Sequence, residues 1–239
     1  MAAIVLVSGE AAAAVGTTTV GTAAAASQVT ISHIVPAGSE RLLVVTVAMR
    51  DTTDASRRVS TVTFGGVALT RAIDQQNDTN DVGAAVYFLI APTVSTANVV
   101  VTLVGSVADL AAAATNLTNM TQVSPLDVIA GADLADTASP STSITSITHN
   151  SVLISTITRN VSGVMTSAQT ELCDQSLGAN AQHVASSLIQ TTMGAQAMAY
   201  SAGGATDDWA QALAAFRRSV VIDTPTNSTS GTDLTEYSF

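Results

Sequence analysis

The stretch Val59–Ala72, VSTVTFGGVALTRA, has two glycines in the middle of a run that otherwise has the composition of a β-strand. Glycine adopts positive φ without strain, and the two-residue turns of tight hairpins require positive φ. A turn at Gly65-Gly66 would oppose three pairs across the ribbon: Phe64 with Val67, Val62 with Leu69 and Ser60 with Arg71. Opposed residues share a face. One face is then apolar and the other rich in threonine, which predicts an antiparallel sheet with one face on a core.

Similar short segments of strand character continue along the chain. They are Gln28–Ile34, Arg41–Arg50, Gly83–Ile90 and Ala97–Val104, with polar loops at Asp51–Arg58 and Asp74–Asp81. Val107–Leu117 is rich in alanine and could form a helix by propensity, but its place in a series of strands favours a strand. Many short strands separated by turn residues predict an all-β fold, an antiparallel β-sandwich or jelly roll.

The pattern starts again after residue 141. Thr142–Thr158 predicts two strands around a turn at His149-Asn150. Four later segments echo the first half in order: Ala168–Asp174, Val184–Thr191, Ala195–Ser201 and Trp209–Arg218. These echoes are compatible with a weak internal duplication. Coincidence among short strands is the alternative.

Composition divides the chain into three parts. Residues 1–27 are of low complexity and predict an N-terminal arm, with a short strand near Ile4–Val7. Residues 28–222 form the sandwich domain, with possible halves 28–121 and 142–222 joined by a connector. Residues 223–239 are polar and predict a C-terminal tail.

Charge is sparse and negative. Charged residues make up 11% of the 239 residues, no lysine is present, and the net charge is −10. A nucleic-acid binder needs a basic stripe, and anionic membranes attract basic segments, so neither partner is expected. The weakly charged surface is either covered by partner chains or solvated by its own Ser and Thr side chains. The N-terminus lacks a secretory signal, which predicts a protein kept in the cytoplasm of its producer.

No residue pattern predicts catalysis. The single Cys173 is expected to be a buried small hydrophobe. The three histidines, His33, His149 and His183, are not accompanied by the HExxH or C-x-x-C residues of a zinc site. The absence of lysine excludes a Schiff base. The sequence therefore predicts a protein that is not an enzyme, with no catalytic, cofactor-binding or metal-binding residues and no cofactor.

Four polar or aromatic features have two interpretations each. The Asp74–Asp81 loop has the oxygen ligands of a calcium site, but a solvated hairpin tip is the favoured interpretation. Asp207-Asp208 is expected to be a turn, and Trp209 a core anchor rather than a ligand platform. Arg217-Arg218 is expected to be a strand-end or interface pair rather than an anion site.

Several of these segments together resemble one family pattern. They are VTFGGVALTRA, GAAVYFLIAPT, VVVTLVG, SPLD, AQTELCD and DDWAQALAAFR. The series is similar to β-sandwich modules of bacteriophage structural proteins and bacterial surface proteins, in which a Gly-Gly hairpin precedes a strand that ends in proline. The resemblance covers about Val29–Arg218. It implies the sandwich fold and brings no catalytic residues.

The expectation for function is a virion structural protein of a tailed bacteriophage. A capsid decoration protein is expected first and a tail component second, made in the host cytoplasm and not secreted. Its partners would be copies of itself, as a homotrimer, and the major capsid protein or other virion proteins. A carbohydrate-binding or adhesion module is the alternative from another class.

Overall fold

The computed structural model describes residues 12–178, 181–204 and 206–219, and the regular structure of these residues consists of β-strands. The strands are β1 (Ala14–Val35), β2 (Leu42–Arg50), β3 (Val59–Phe64), β4 (Val67–Ala68), β5 (Thr70–Asn77), β6 (Val82–Ile90), β7 (Ser95–Thr118), β8 (Leu126–Thr137), β9 (Ser141–Ser146), β10 (Ser151–Arg159), β11 (Thr166–Ser167), β12 (Thr170–Leu177), β13 (Ala181–Gln190), β14 (Gly194–Ser201) and β15 (Asp207–Phe216). Every strand pairing is antiparallel. The predicted all-β antiparallel sandwich is confirmed.

The first seven strands form one sheet that curls over itself into a partly closed barrel. Its order is β4-β3-β7-β2-β6-β5, and β1 also pairs with β7. The sheet curls because β1 and β7 are long and bend, so that each contributes to two layers. β1 bends at Ala25, where φ is 50°, next to a register shift between Ala26 and Gln28. The curled sheet encloses an apolar interior that includes Val45, Phe64, Val99, Val101 and Ala112.

The last eight strands form two smaller sheets, with orders β12-β13-β10-β15-β8 and β11-β14-β9. Side chains of the two sheets meet in shared apolar clusters. In one, Ile144 of β9 and Met198 of β14 pack with Leu213 of β15. In another, Tyr200 of β14 packs with Trp209 of β15. This half is therefore a sandwich in its own right.

The two halves stack through a common apolar layer. Val44 and Val86 of the first half belong to the same buried cluster as Val152, Ile154 and Phe216 of the second half. β2 and β6 lie against β10, and β5 and β6 lie against β15. Each half thus buries one face on its own interior and the opposite face on the other half.

The order of pairing in the first half is repeated in the second. β2 lies between β6 and β7, as β10 lies between β13 and β15. β5 pairs with β6 as β12 pairs with β13. The pairing of β1 with β7 corresponds to two shorter pairings, β8 with β15 and β9 with β14. The second half therefore has the topology of the first, with its two long strands each divided.

The repetition includes irregular positions and some side chains. A register shift lies between Arg71 and Ile73 of β5, and another lies between Glu171 and Cys173 at the matching place in β12. Thr70, Asp74 and Gln75 correspond to the identical residues Thr170, Asp174 and Gln175. The matching β-bulge is a specific feature, because bulges are local insertions that pairing topology does not require.

Backbone conformation repeats at two further positions. Ala25 in β1 and Asp136 at the matching place in β8 both have positive φ, 50° and 46°. Glu40 and Asn150, which precede β2 and β10, have φ of 48° and 56°. Positive φ is uncommon outside glycine. Its occurrence at matching positions adds local conformation to the features that repeat between the two halves.

The glycine hairpin forms at the predicted turn but is shorter than predicted. Gly65 and Gly66 have φ of 56° and 85°, and Phe64 lies opposite Val67. Leu69 donates its N–H to the Val62 carbonyl at 2.8 Å. The third predicted pair, Ser60 with Arg71, is wrong because β5 leaves the hairpin and pairs with β6. Val67 is 55% exposed, so it does not share the buried environment of Phe64.

Two expectations about segments differ from the structure. Residues 14–27 are not part of an arm, since β1 includes them and pairs with the alanine-rich end of β7. The expected connector at 122–141 contains β8. The short strand predicted near Ile4–Val7 and the tail at 223–239 lie outside the described residues. The alanine-rich segment is a strand, as predicted, because Ala111–Ala114 fit between close-packed neighbours on both sides.

Candidate functional site

The loop between β2 and β3 holds a fully buried arginine. The Arg57 guanidinium donates to Asp54 Oδ1 at 2.7 Å and to Asp78 Oδ1 at 3.1 Å, and it lies 3.6 Å from Asp81 Oδ1. It also donates to the Asp51 carbonyl. The arrangement fixes two loops to each other, and sequence reasoning missed it because adjacent arginines in a polar loop are normally solvated.

This network decides the interpretation of the candidate calcium loop. Asp74 and Asn77 belong to β5, so only residues 78–81 form the loop. The carboxylates of Asp78 and Asp81 lie 3.1 Å and 3.6 Å from the Arg57 guanidinium, so they already have a cationic partner. Within residues 12–178, 181–204 and 206–219, no group of three or more His, Cys, Asp or Glu side chains could hold a metal ion.

Two of the three histidines are buried on separate strands. His183 is fully buried, its Nε2 lies 3.0 Å from Thr156 Oγ1, and burial lowers its pKa to about 4. His33 lies between Thr19 Oγ1 at 2.7 Å and Asn116 Oδ1 at 3.1 Å. Burial lowers the pKa of His33, against the opposing effect of the Asn116 hydrogen bond. Both rings are therefore neutral near pH 7.

Cys173 lies beside His183, but the pair is not an activated nucleophile. The Sγ atom is 4.0 Å from His183 Nδ1, and burial raises the pKa of the thiol to about 12. Cysteine attacks as the thiolate, which is absent at such a pKa near neutral pH. The prediction that Cys173 is a buried small hydrophobe is confirmed.

The start of β15 holds a buried ion pair. Asp207 Oδ2 accepts from Arg159 Nε at 2.7 Å, and the Arg159 guanidinium lies 5.3 Å from the centre of the Trp209 ring. Trp209 is fully buried and donates Nε1–H to the Thr137 carbonyl at 2.8 Å. Trp209 is thus the predicted core anchor. Asp207 and Asp208 belong to a strand and not to the expected turn.

A second carboxylate ties the end of β15 to β8. Asp127 accepts from Arg217 Nε at 3.2 Å, from Thr148 Oγ1 at 2.9 Å and from Ser146 Oγ at 3.0 Å. Burial alone would raise the pKa of the Asp127 carboxyl, but these hydrogen bonds outweigh burial and hold the pKa below its ordinary value. Arg217 therefore acts at a strand end, in an internal pair.

The exposed surface contrasts with these internal clusters. The six described aromatic side chains are buried: Phe64, Tyr87, Phe88, Tyr200, Trp209 and Phe216. Aliphatic side chains are exposed instead at the strand turns. Val94, in the turn from β6 to β7, is 48% exposed, and Met193, at the matching turn from β13 to β14, is 54% exposed.

A groove of about 330 Å³ lies beside the glycine hairpin. Its walls come from the β3–β4 turn and the β6–β7 turn, and its lining residues carry no charge: Phe64, Gly65, Val67, Leu89, Ile90, Ala91, Pro92, Thr93, Ser95, Thr96 and Ala97. Ile34, which pairs with Thr96, is 59% exposed at the same end of the sheet. This end can accept apolar side chains from another molecule.

No protein-family model matches the chain, and no curated protein matches it. Among the described residues, no helix is long and apolar enough to cross a membrane.

Proposed function

We propose that this chain is a structural protein of a tailed bacteriophage virion, and that it decorates the capsid. One observation carries the proposal: the described ionic clusters are tied to internal partners, while aliphatic side chains are exposed at the strand turns. Such a surface suits lasting contact with other proteins. A protein with this role acts mechanically, by burying surface on its neighbours.

The proposed partners are copies of this chain and the major capsid protein. A protein that binds the assembled shell, and not its free subunits, stabilises the shell by mass action. Copies packed around symmetry axes, in homotrimers, would span the joints between capsid subunits. Synthesis in the host cytoplasm followed by incorporation into the particle belongs to the same proposal.

A tail component is the second candidate in the same class. A carbohydrate-binding or adhesion module is a candidate from a different class, and the burial of the described aromatic side chains argues against it. Sugar-binding sites use exposed aromatic faces for stacking, and the described aromatic rings are held in the interior instead.

The test is quantitative mass spectrometry on density-purified particles from the source of the sequence. A copy number equal to that of the major capsid protein, or a simple fraction of it, supports decoration. A few tens of copies or fewer assign the chain to the tail, and its absence from particles overturns the virion proposal. A glycan-array signal would then favour the adhesion module.

A second experiment tests whether the ends of the chain, and not its body, contact the shell. Deletion of residues 1–11 and 220–239 leaves β1 and β15 complete, whereas deletion to residue 27 would remove residues 14–27 of β1. We expect the shorter deletion to lower occupancy on particles without changing the thermal midpoint. Unchanged occupancy would exclude the ends as contacts with the shell.

A further inference from the structure

β1 forms one whole side edge of the first half. Because the strand bends, this edge runs along both layers of the curled sheet. Within the described residues, β1 is hydrogen-bonded to β7 and to no other strand. The parts of β1 before and after the bend at Ala25 lie over each other, as shown by the distance of 2.7 Å between Thr19 Oγ1 and His33 Nδ1. One side of the backbone therefore has no strand partner among the described residues along most of Ala14–Val35. Free strand edges are templates for pairing with another chain.

Natural proteins protect such edges with charges, prolines and interruptions. β1 has no charge and no proline, and it is interrupted only by the register shifts between Val15 and Thr18 and between Ala26 and Gln28. Residues 11–39 include no Asp, Glu, Lys or Arg, and no proline lies within β1. Of the exposed residues along it, Val20 and Ile34 are large aliphatics and most others are Thr, Ser or Ala. Between its register shifts, a strand of this composition has no charge or proline to oppose pairing.

The second half of the chain provides an internal comparison. Its matching edge is formed by β8 and β9, and that edge is protected. Asp133 and Asp136 are exposed on β8, and Pro140 interrupts the strand before β9 begins. Thr22 of β1 occupies the place of Asp133, since Thr22 pairs with Ala111 as Asp133 pairs with Ala210. The same structural unit thus has one protected edge and one bare edge in the same chain.

We propose that the bare β1 edge is a contact surface for a second copy of this chain, with β1 pairing antiparallel to β1 across a two-fold axis. The contact joins two sheets into one continuous sheet. It is independent of the virion proposal, because it concerns the purified chain alone.

Charge makes β1 the edge through which a second copy can pair. The net charge is −10, so copies repel each other over most of their surface. The other long edges carry charges, Arg71 and Asp74 on β5 and Glu171 and Asp174 on β12. A two-fold contact through β1 brings no like charges together, and an isologous contact uses the same patch on both copies. Three-fold packing would require a different surface.

The test uses one substitution at two matching positions. Ser32 is exposed in β1 opposite Asn98, and Ser143 is exposed at the matching position of β9 opposite Ala197. Ser32→Lys places lysines on the proposed contact, whereas Ser143→Lys makes the same change on the protected edge. Thr22→Lys tests the other layer of β1. Thermal midpoints and circular dichroism check that each variant is folded.

Sedimentation velocity of the full chain over a wide concentration range gives the result. We expect a wild-type dimer, a dissociation constant raised at least about tenfold by Ser32→Lys and Thr22→Lys, and no change with Ser143→Lys. Hydrogen exchange of β1 amides should slow as the protein concentration rises. A wild-type chain that stays monomeric overturns the proposal. The same holds if residues 220–239 are found to cover β1 in that monomer. Equal weakening by Ser143→Lys overturns it as well.

Discussion

At the scale of single residues, several charged side chains act as internal ties. Arg57 and Arg58 are adjacent, yet the Arg57 side chain is fully buried and the Arg58 side chain is 42% exposed. Removing Arg57 takes away charge-assisted hydrogen bonds from a buried guanidinium to Asp54, Asp78 and the Asp51 carbonyl, and such bonds contribute more to stability than bonds between neutral groups. An ion pair made by an exposed arginine contributes little, because water screens it and the side chains lose entropy.

Substituting Arg57 should therefore destabilise the fold far more than substituting its neighbour. We expect Arg57→Gln to lower the free energy of unfolding by about 2–3 kcal/mol and Arg58→Gln by less than about 1 kcal/mol. Urea denaturation of both variants measures the difference. Equal effects would mean that the three aspartates around Arg57 are not bound to it in solution.

His183 should make stability depend on pH. Burial lowers its pKa from 6.5 to about 4, so between these pH values the unfolded chain binds more protons than the folded chain. The free energy of unfolding therefore falls as the pH drops through this interval, by roughly 3 kcal/mol. His183→Gln should flatten this part of the profile, while exposed His149→Gln should leave it unchanged. Parallel profiles for wild type and His183→Gln would contradict the assignment.

At the scale of elements, local chemistry predicts some features and tertiary pairing decides others. The Gly65-Gly66 turn follows from glycine's access to positive φ. The first part of β1, residues 14–27, could not be predicted as a strand, because an Ala/Thr/Gly run has no apolar face of its own and becomes a strand only beside the alanines of β7. The Arg57 network depends on loops distant in sequence. No sequence pattern signals such a contact.

The glycine turn can be tested with two side chains at one position. A Cβ on Gly66 would meet no atom within 4 Å, so any cost comes from its φ of 85°. Gly66→Val should lower the free energy of unfolding by about 1–2 kcal/mol, whereas Gly66→Asn should cost less because asparagine tolerates positive φ. Thermal denaturation of the two variants compares the costs. Equal losses would show that lack of space, and not backbone strain, determines them.

At the scale of the whole molecule, duplication makes each half depend on the other. A sandwich normally solvates its outer faces, but here Val44 and Val152 lie on outer faces that are buried against each other. Separated halves would expose this layer to water. The repeated topology therefore does not give two independent domains, and we expect the body to unfold as one unit.

The aromatic pair across the layer between the halves tests this dependence. Phe88 and Phe216 meet edge to face, with ring centres 5.5 Å apart. Each single alanine variant should lower the free energy of unfolding by about 3–5 kcal/mol, and the double variant should lose about 1 kcal/mol less than the sum of the two. Phe64→Ala is the control, since Phe64 lies inside the first half and its effect should add to that of Phe216→Ala. Fluorescence of Trp209, in the second half, and far-ultraviolet circular dichroism should report one shared transition. Two separate transitions would mean that the halves fold independently and that the layer between them contributes little to stability.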